Sequence, residues 1–139
     1  MNKELLENII EKESQKSSLV SKDIPDLDLY MDQIMTLFET HLANNKKNEE
    51  DKLLTKTMIN NYSKAKVITP VKGKKYTKEQ IIQMLIIYQL KNNLSIQEIK
   101  ELLTPIYESD TDLSNLYDHF IDIKHSLNSN FKNDSKNNG

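Results

Sequence analysis

Apolar residues recur along most of this chain at three- and four-residue intervals, the spacing that turns one side of a helix toward a core. The first such stripe is Leu5, Leu6, Ile9 and Ile10, so Lys3 to about Gln15 reads as a short helix, and the polar stretch Ser14 to Lys22 follows it. The second is Leu27, Tyr30, Met31, Ile34, Met35, Phe38, His41 and Leu42, placed after Ile24-Pro25-Asp26. Asp26 is its expected N-cap, because a side-chain acceptor satisfies the orphan amides of a first helical turn. His41 is expected at the edge of the core. Asn44 to Asp51 is wholly polar and reads as a loop. A third helix runs from Thr55, its N-cap, to about Lys66, with Met58, Ile59, Tyr62 and Ala65 inward.

Two capping boxes punctuate the second half. In Thr77-Lys78-Glu79-Gln80 and Ser95-Ile96-Gln97-Glu98 a hydroxyl residue stands three places before a Gln or Glu, so each side chain can bond the other's backbone amide. The helix opened by the first, to about Asn92, is apolar almost all round and is expected to be the central core helix. The helix opened by the second ends near Thr104-Pro105. Ile82, Leu85, Ile86, Leu90, Ile99 and Leu102 are the expected buried positions. A last amphipathic helix, Asp112 to about Leu127, carries Leu113, Leu116, Tyr117, Phe120, Ile123 and Leu127. Between the third helix and the core helix, Thr69 to Tyr76 holds Pro70 and Gly73, and Val71 to Tyr76 is a candidate tight basic hairpin.

These elements predict an all-α fold: a compact helical domain with at most one small β-hairpin. The expected organisation is an N-terminal helical arm over 1–22, one helical domain over 23–127, and a disordered tail over 128–139 rich in Asn, Lys and Ser. Composition agrees. The 139 residues fit one domain. Two glycines and three prolines supply too few turns for an all-β fold. The absence of cysteine excludes disulfides and thiolate metal sites. The longest nearly apolar stretch, Ile81 to Leu90, is too short to cross a bilayer. The N-terminus lacks a secretory apolar run. A cytoplasmic protein with no membrane contact is expected.

Charge changes the picture most. Met1 to Asp51 holds six lysines and twelve acids, Lys52 to Lys78 eight lysines and no acid, and Glu79 to Gly139 five lysines and nine acids. A net of +8 in the middle of a chain whose total is −2 is a statement about partners. Lys72, Lys74 and Lys75 on the loop, with Lys56 and the Thr55 and Thr57 hydroxyls at a helix N-terminus, are able to follow a phosphate backbone. Asn60, Asn61 and Lys64 lie on the outer side of that helix. Asparagine can bond adenine bidentately in the major groove, and the chain has no arginine, the commonest reader of guanine. Double-stranded DNA, A·T-rich by preference, is the expected partner.

Met58 to Pro70, then Lys74-Lys75-Tyr76-Thr77, then Leu94 to Leu103 with its Ser95, Glu98, Ile99 and Leu103, resemble the winged-helix domain of MerR-type regulators. The resemblance covers about 53–104. It implies a winged helix-turn-helix core, a recognition helix over about 55–66 and a basic wing over about 71–76. It implies that Thr55, Lys56, Thr57 and Asn60 sit where that family meets DNA, with Tyr62 and Tyr76 at its helix-end and wing tyrosines. The family's pattern differs in having arginine at the place of Asn60 and glycine at the place of Lys66, and a shorter turn than 44–53. Ile24 to Leu103 also resembles a bacterial family catalogued as domain of unknown function 1836. Leu29-Tyr30-Met31-Asp32-Gln33 and Leu54 to Tyr62 carry that second likeness.

The function expected is therefore that of a DNA-binding transcriptional regulator. Thr55, Lys56, Thr57, Asn60, Asn61, Lys64, Lys72, Lys74, Lys75 and Tyr76 are its candidate contacts, and the N-terminal arm or the last helix its candidate homodimer contact. The alternative is a helical adaptor whose basic face docks an acidic partner. Asp118, Asp122 and His125 share one face of the last helix but lack a fourth, remote ligand, so no metal is expected. No nucleophile elbow or phosphate loop occurs, and neither an enzyme nor a cofactor is expected.

Overall fold

The structure, a computed structural model, describes residues 2–6, 19–42 and 54–137, and over 128–137 the backbone alone. The fold is mostly helical. Its elements are strand β1 (Leu29–Tyr30), helices α1 (Met31–Leu42) and α2 (Lys56–Lys64), strand β2 (Lys75–Tyr76), and helices α3 (Lys78–Leu90), α4 (Ile96–Glu108) and α5 (Leu113–Asn137). A 3-10 turn, Ser21–Asp23, precedes β1.

Helix α3 is the centre. Gln80 to Leu85 and Ile87 are all buried, so it has almost no solvent face. A helix apolar all round must be enclosed. Helix α5 packs along it, and Ile34, Phe38, Ile59, Ile68, Ile99 and Tyr117 join the same core. Both capping boxes form. Thr77 Oγ1 accepts from the Gln80 amide at 3.2 Å, and Gln80 Oε1 from the Thr77 amide at 2.9 Å. Ser95 Oγ accepts from the Glu98 amide at 3.1 Å, and Glu98 Oε1 from the Ser95 amide at 3.0 Å. The Ser95 amide, and then its hydroxyl, hold the Glu98 carboxyl below the usual glutamate range. Ile82, Leu85 and Ile99 are fully buried, and Ile86 and Leu90 partly. Leu102 is not, at 48% exposed.

The first and last elements are latched together. The Tyr117 hydroxyl donates to the Leu19 carbonyl. The Ser21 amide donates to Asp118 Oδ1 at 2.8 Å, and the Ser21 hydroxyl to Oδ2. Leu19 and Ile24 are buried. Residues 19–22, counted in the expected arm, therefore pack with the helical domain. Of the expected arm, residues 3–6 are helical, with Asn2 Oδ1 accepting from the Glu4 amide at 2.9 Å. Residues 7–18 lie outside the described residues, as do residues 43–53, on which the expected loop Asn44 to Asp51 falls.

Other corrections follow from contacts between residues far apart in sequence. Helix α1 starts at Met31, not after Asp26. Leu29 and Tyr30 are held extended because they pair antiparallel with Tyr76 and Lys75. The expected hairpin within Val71–Tyr76 is thus replaced by a two-stranded pairing between β2 and a strand before α1. Gln33 Oε1 closes the start of α1 by accepting from the Tyr30 amide at 2.8 Å. Leu27 is left exposed, and so is His41. Helix α4 continues past Pro105 to Glu108. Tyr107 in that extra turn donates its hydroxyl to the Val67 carbonyl at 2.8 Å, and burial raises its pKa. The helical backbone of α5 runs through Asn137, into the stretch expected to be a disordered tail. Extending a formed helix costs far less than starting one.

Helix α2 ends as a Schellman turn. The Lys66 amide donates to the Ser63 carbonyl at 3.0 Å and the Val67 amide to the Tyr62 carbonyl at 2.9 Å, with Lys66 at φ 64°. Val67 and Tyr62, at the two positions whose apolar side chains usually meet beside such a turn, are both buried. A side chain in this left-handed conformation is strained by roughly 1 kcal/mol. Lys66→Gly is therefore expected to stabilise the fold by ~0.5–1 kcal/mol, after glycine's extra unfolded-state entropy. Urea melts of the two proteins check it; a lower midpoint for the glycine variant contradicts it.

Candidate nucleic-acid interface

The amphipathic α2 sets the first half of the candidate surface. Thr55 caps it: its hydroxyl oxygen accepts from the Met58 amide at 3.1 Å. Ile59 and Tyr62 are buried, and burial raises the Tyr62 pKa. Lys56, Thr57, Asn60, Asn61 and Lys64 are all exposed, as the helical period predicts. Lys56 and Lys64 stand two turns apart, about 12 Å along the axis.

The loop after α2 is held before it becomes free. Val67 and Ile68 are buried. Gln83 Oε1 accepts from the Thr69 amide at 2.9 Å. Gln80 Nε2 donates to the carbonyls of Thr69 and Pro70 at 3.1 and 3.0 Å. These two glutamines on α3 fix where the chain leaves the core. Beyond them Lys72 and Lys74 are exposed on a turn whose Gly73 has φ 84°, a conformation glycine adopts freely. The turn closes into β2, where Tyr76 is half-buried opposite Leu29. Lys75 lies over the Tyr30 ring, its ammonium 4.9 Å from the ring centroid.

The segment 30–32 joins the two halves. Tyr30 receives Lys75, and two residues on, the Asp32 carboxylate accepts from Lys56. The start of α2 and the basic turn are therefore tied to one short stretch of chain. That stretch also brings acid to the lysines. Asp26 accepts from Lys78 at 3.0 Å, so Lys56 and Lys78 are each ion-paired. The charge segregation of the sequence is thus partly neutralised in space. Among the described residues, Lys64, Lys66, Lys72 and Lys74 have no ion-pair partner.

Of the candidate contacts, Thr57, Asn60, Asn61, Lys64, Lys72 and Lys74 present their side chains to water. Thr55 and Tyr76 serve the fold, and Lys56 and Lys75 already have partners. Lys66, exposed at its left-handed position, and the acids Asp26 and Asp32 are missing from the expected set. Only the glycine at the corresponding place of the MerR-type pattern pointed toward Lys66. Nothing local pointed to the acids.

A family model described as "Domain of unknown function (DUF1836)" matches residues 19–120. The chain belongs to the DUF1836 family. No curated protein and no solved structure matches it. The DUF1836 span begins at Leu19, the first residue of the latch onto α5, and contains both halves of the candidate surface.

Gln80 is expected to be the strongest single support of that surface within the DUF1836 unit. Gln80→Ala removes two bonds to the loop carbonyls and one to the Thr77 amide, and leaves a gap in the core. The expected cost is ~2–3 kcal/mol. Hydrogen exchange at Lys72 to Tyr76 should accelerate more than at α5. Uniform acceleration across both would deny the loop-holding role.

Proposed function

We propose that this protein binds double-stranded DNA, with α2 as the base-reading helix and the turn at Lys72–Lys75 as a backbone-contacting wing. The observation that carries this reading is the outer face of α2. It shows Lys56, Thr57, Asn60, Asn61 and Lys64 to solvent without one carboxylate of its own, and a lysine turn is tied to its start through Tyr30–Asp32. Hydroxyl, amide and ammonium groups on one exposed helix face are the groups that meet base edges and phosphates. The likeness of 53–104 to MerR-type winged-helix domains supports the same assignment, and a role in transcription regulation goes with it. Tyr62 takes no direct part, because its ring is in the core. A·T-rich duplex is the preferred site in this reading, because asparagine and not arginine is available to read bases.

One observation favours a second reading. Asp26 and Asp32 are carboxylates already docked on this surface. An acidic segment of a partner protein would meet the same lysines, which is the adaptor alternative.

Titration of duplex DNA at several salt concentrations separates the two. With three to five phosphate contacts among Lys56, Lys64, Lys72, Lys74 and Lys75, log affinity should fall against log salt with a slope of about −3 to −4.5. Asp32→Asn frees Lys56 and should tighten binding. Lys74→Glu with Lys75→Glu should weaken it on all sequences alike. Asn60→Ala should cost ~1–3 kcal/mol on a selected A·T-rich site and little on random duplex. No DNA binding at low salt, with retention of an acidic peptide, would sink the DNA reading and leave the adaptor.

A further inference from the structure

Helix α5 carries two apolar stripes, and the fold covers one of them. Leu113, Tyr117 and Ile121 are buried in the core. Leu116, Phe120, Ile123 and Leu127 lie about 90° round the helix from these, within an arc of about 60°. They are 36%, 42%, 47% and 63% exposed. Leu102 of α4, 48% exposed, widens the patch: with Leu116 and Phe120 it lines a cavity of about 190 Å³ between α3, α4 and α5. Exposed apolar residues scattered singly are ordinary, but a contiguous face of them marks a surface that another body covers.

The spacing along α5 says what fits there. Four, three and four residues separate the members of the outer stripe, the heptad alternation of a helix that pairs with another helix. That order also reads the same from either end. An antiparallel copy of α5, related by a twofold axis between Phe120 and Ile123, sets Leu116 against Leu127 and Phe120 against Ile123. Every member then meets an apolar partner. A twofold interface requires such a self-complementary patch, and this chain supplies it from its own sequence. Charge agrees. On the solvent side the stripe is flanked by His119 and Ser126, both exposed, and Asp118 and Asp122 lie more than about 90° away from it. Two such stripes can meet without setting carboxylates face to face. Length agrees as well. The 25 residues of α5 span about 37 Å, and the 13 residues of α3, on which it packs, about 20 Å. Helix α5 therefore outruns the core that covers its inner stripe.

We propose that this protein forms a homodimer in which the α5 helices of two copies pack antiparallel about that twofold axis. The interface uses none of the residues of the DNA reading and does not depend on it.

Sedimentation velocity of the full chain, from low to high micromolar concentration, is expected to show a monomer–dimer equilibrium. Ile123→Lys should raise the dimer dissociation constant at least about tenfold, because each copy loses a buried aliphatic group and brings a charge to the seam. Leu127→Lys should do the same. Leu27→Lys, at an exposed apolar residue outside the stripe, should leave the constant unchanged. Thermal melts establish that each variant is folded, and the concentration dependence of the unaltered chain decides if one is not. Orientation is read by cross-linking, since the chain has no cysteine of its own. With a short bismaleimide, Leu116→Cys mixed with Leu127→Cys should give a covalent dimer. Neither should do so alone, because like positions stand ~16 Å apart along the axis of an antiparallel pair. A chain that stays monomeric at every concentration overturns the proposal. So does a dimer indifferent to both lysine variants, and so does cross-linking of each cysteine variant to itself.

Discussion

The rest of the structure depends on the enclosure of one helix. From Gln80 to Leu85 every side chain of α3 is buried, and a 13-residue helix in that state cannot rest on one neighbour. It needs cover on each side, and the chain supplies it from elements distant in sequence: α1 and α2 from before it, α4 and α5 from after it. Hydrophobic burial is non-directional and fixes no particular arrangement. Direction comes from the few polar groups taken inside with the helix. Gln80 and Gln83 are buried among aliphatic neighbours, so they must find backbone partners. Those they find, at Thr69 and Pro70, decide where the chain emerges toward solvent. The core and the candidate surface are thus coupled by two amide side chains.

The same geometry reshapes the electrostatics. A run of lysines in sequence is a potential source of repulsion, and the fold places Asp26 and Asp32 beside two of them through a pairing only two residues long. Exposed ion pairs contribute little to stability. If the surface binds DNA as proposed, a phosphate arriving at Lys56 would displace the Asp32 carboxylate rather than water.

How much of this was legible in the sequence follows from the range of the interactions. The capping boxes at Thr77 and Ser95, the cap at Thr55 and the outward set Thr57, Asn60, Asn61 and Lys64 rest on spacings of three or four residues, and the structure has them where the spacings put them. Ile82, Leu85 and Ile99 follow from the same periodicity. Leu102 shares that periodicity yet remains exposed, because a stripe names a face and not what covers it. Leu29–Tyr30 was unreadable for a different reason: two extended residues carry no period, and their partner lies far along the chain. The ion pairs of Lys56 and Lys78 inherit that difficulty. The glutamines were visible as a cap and as a polar residue in an apolar run, but their grip on Thr69 and Pro70 needed the third dimension.

The bond from Tyr117 to the Leu19 carbonyl spans 98 residues. Closing so long a loop carries an entropic cost that must be met before the contact returns anything. On the ribosome the constraint is one of order. Leu19, Ser21 and Ile24 emerge early and have no permanent seat until Tyr117 and Asp118 have followed, some seconds later at ordinary synthesis rates. Throughout that interval the apolar side chains of Leu19 and Ile24 are available to other nascent chains or to chaperones. Securing Leu19 to Ile24 is therefore timed by α5, made some hundred residues later.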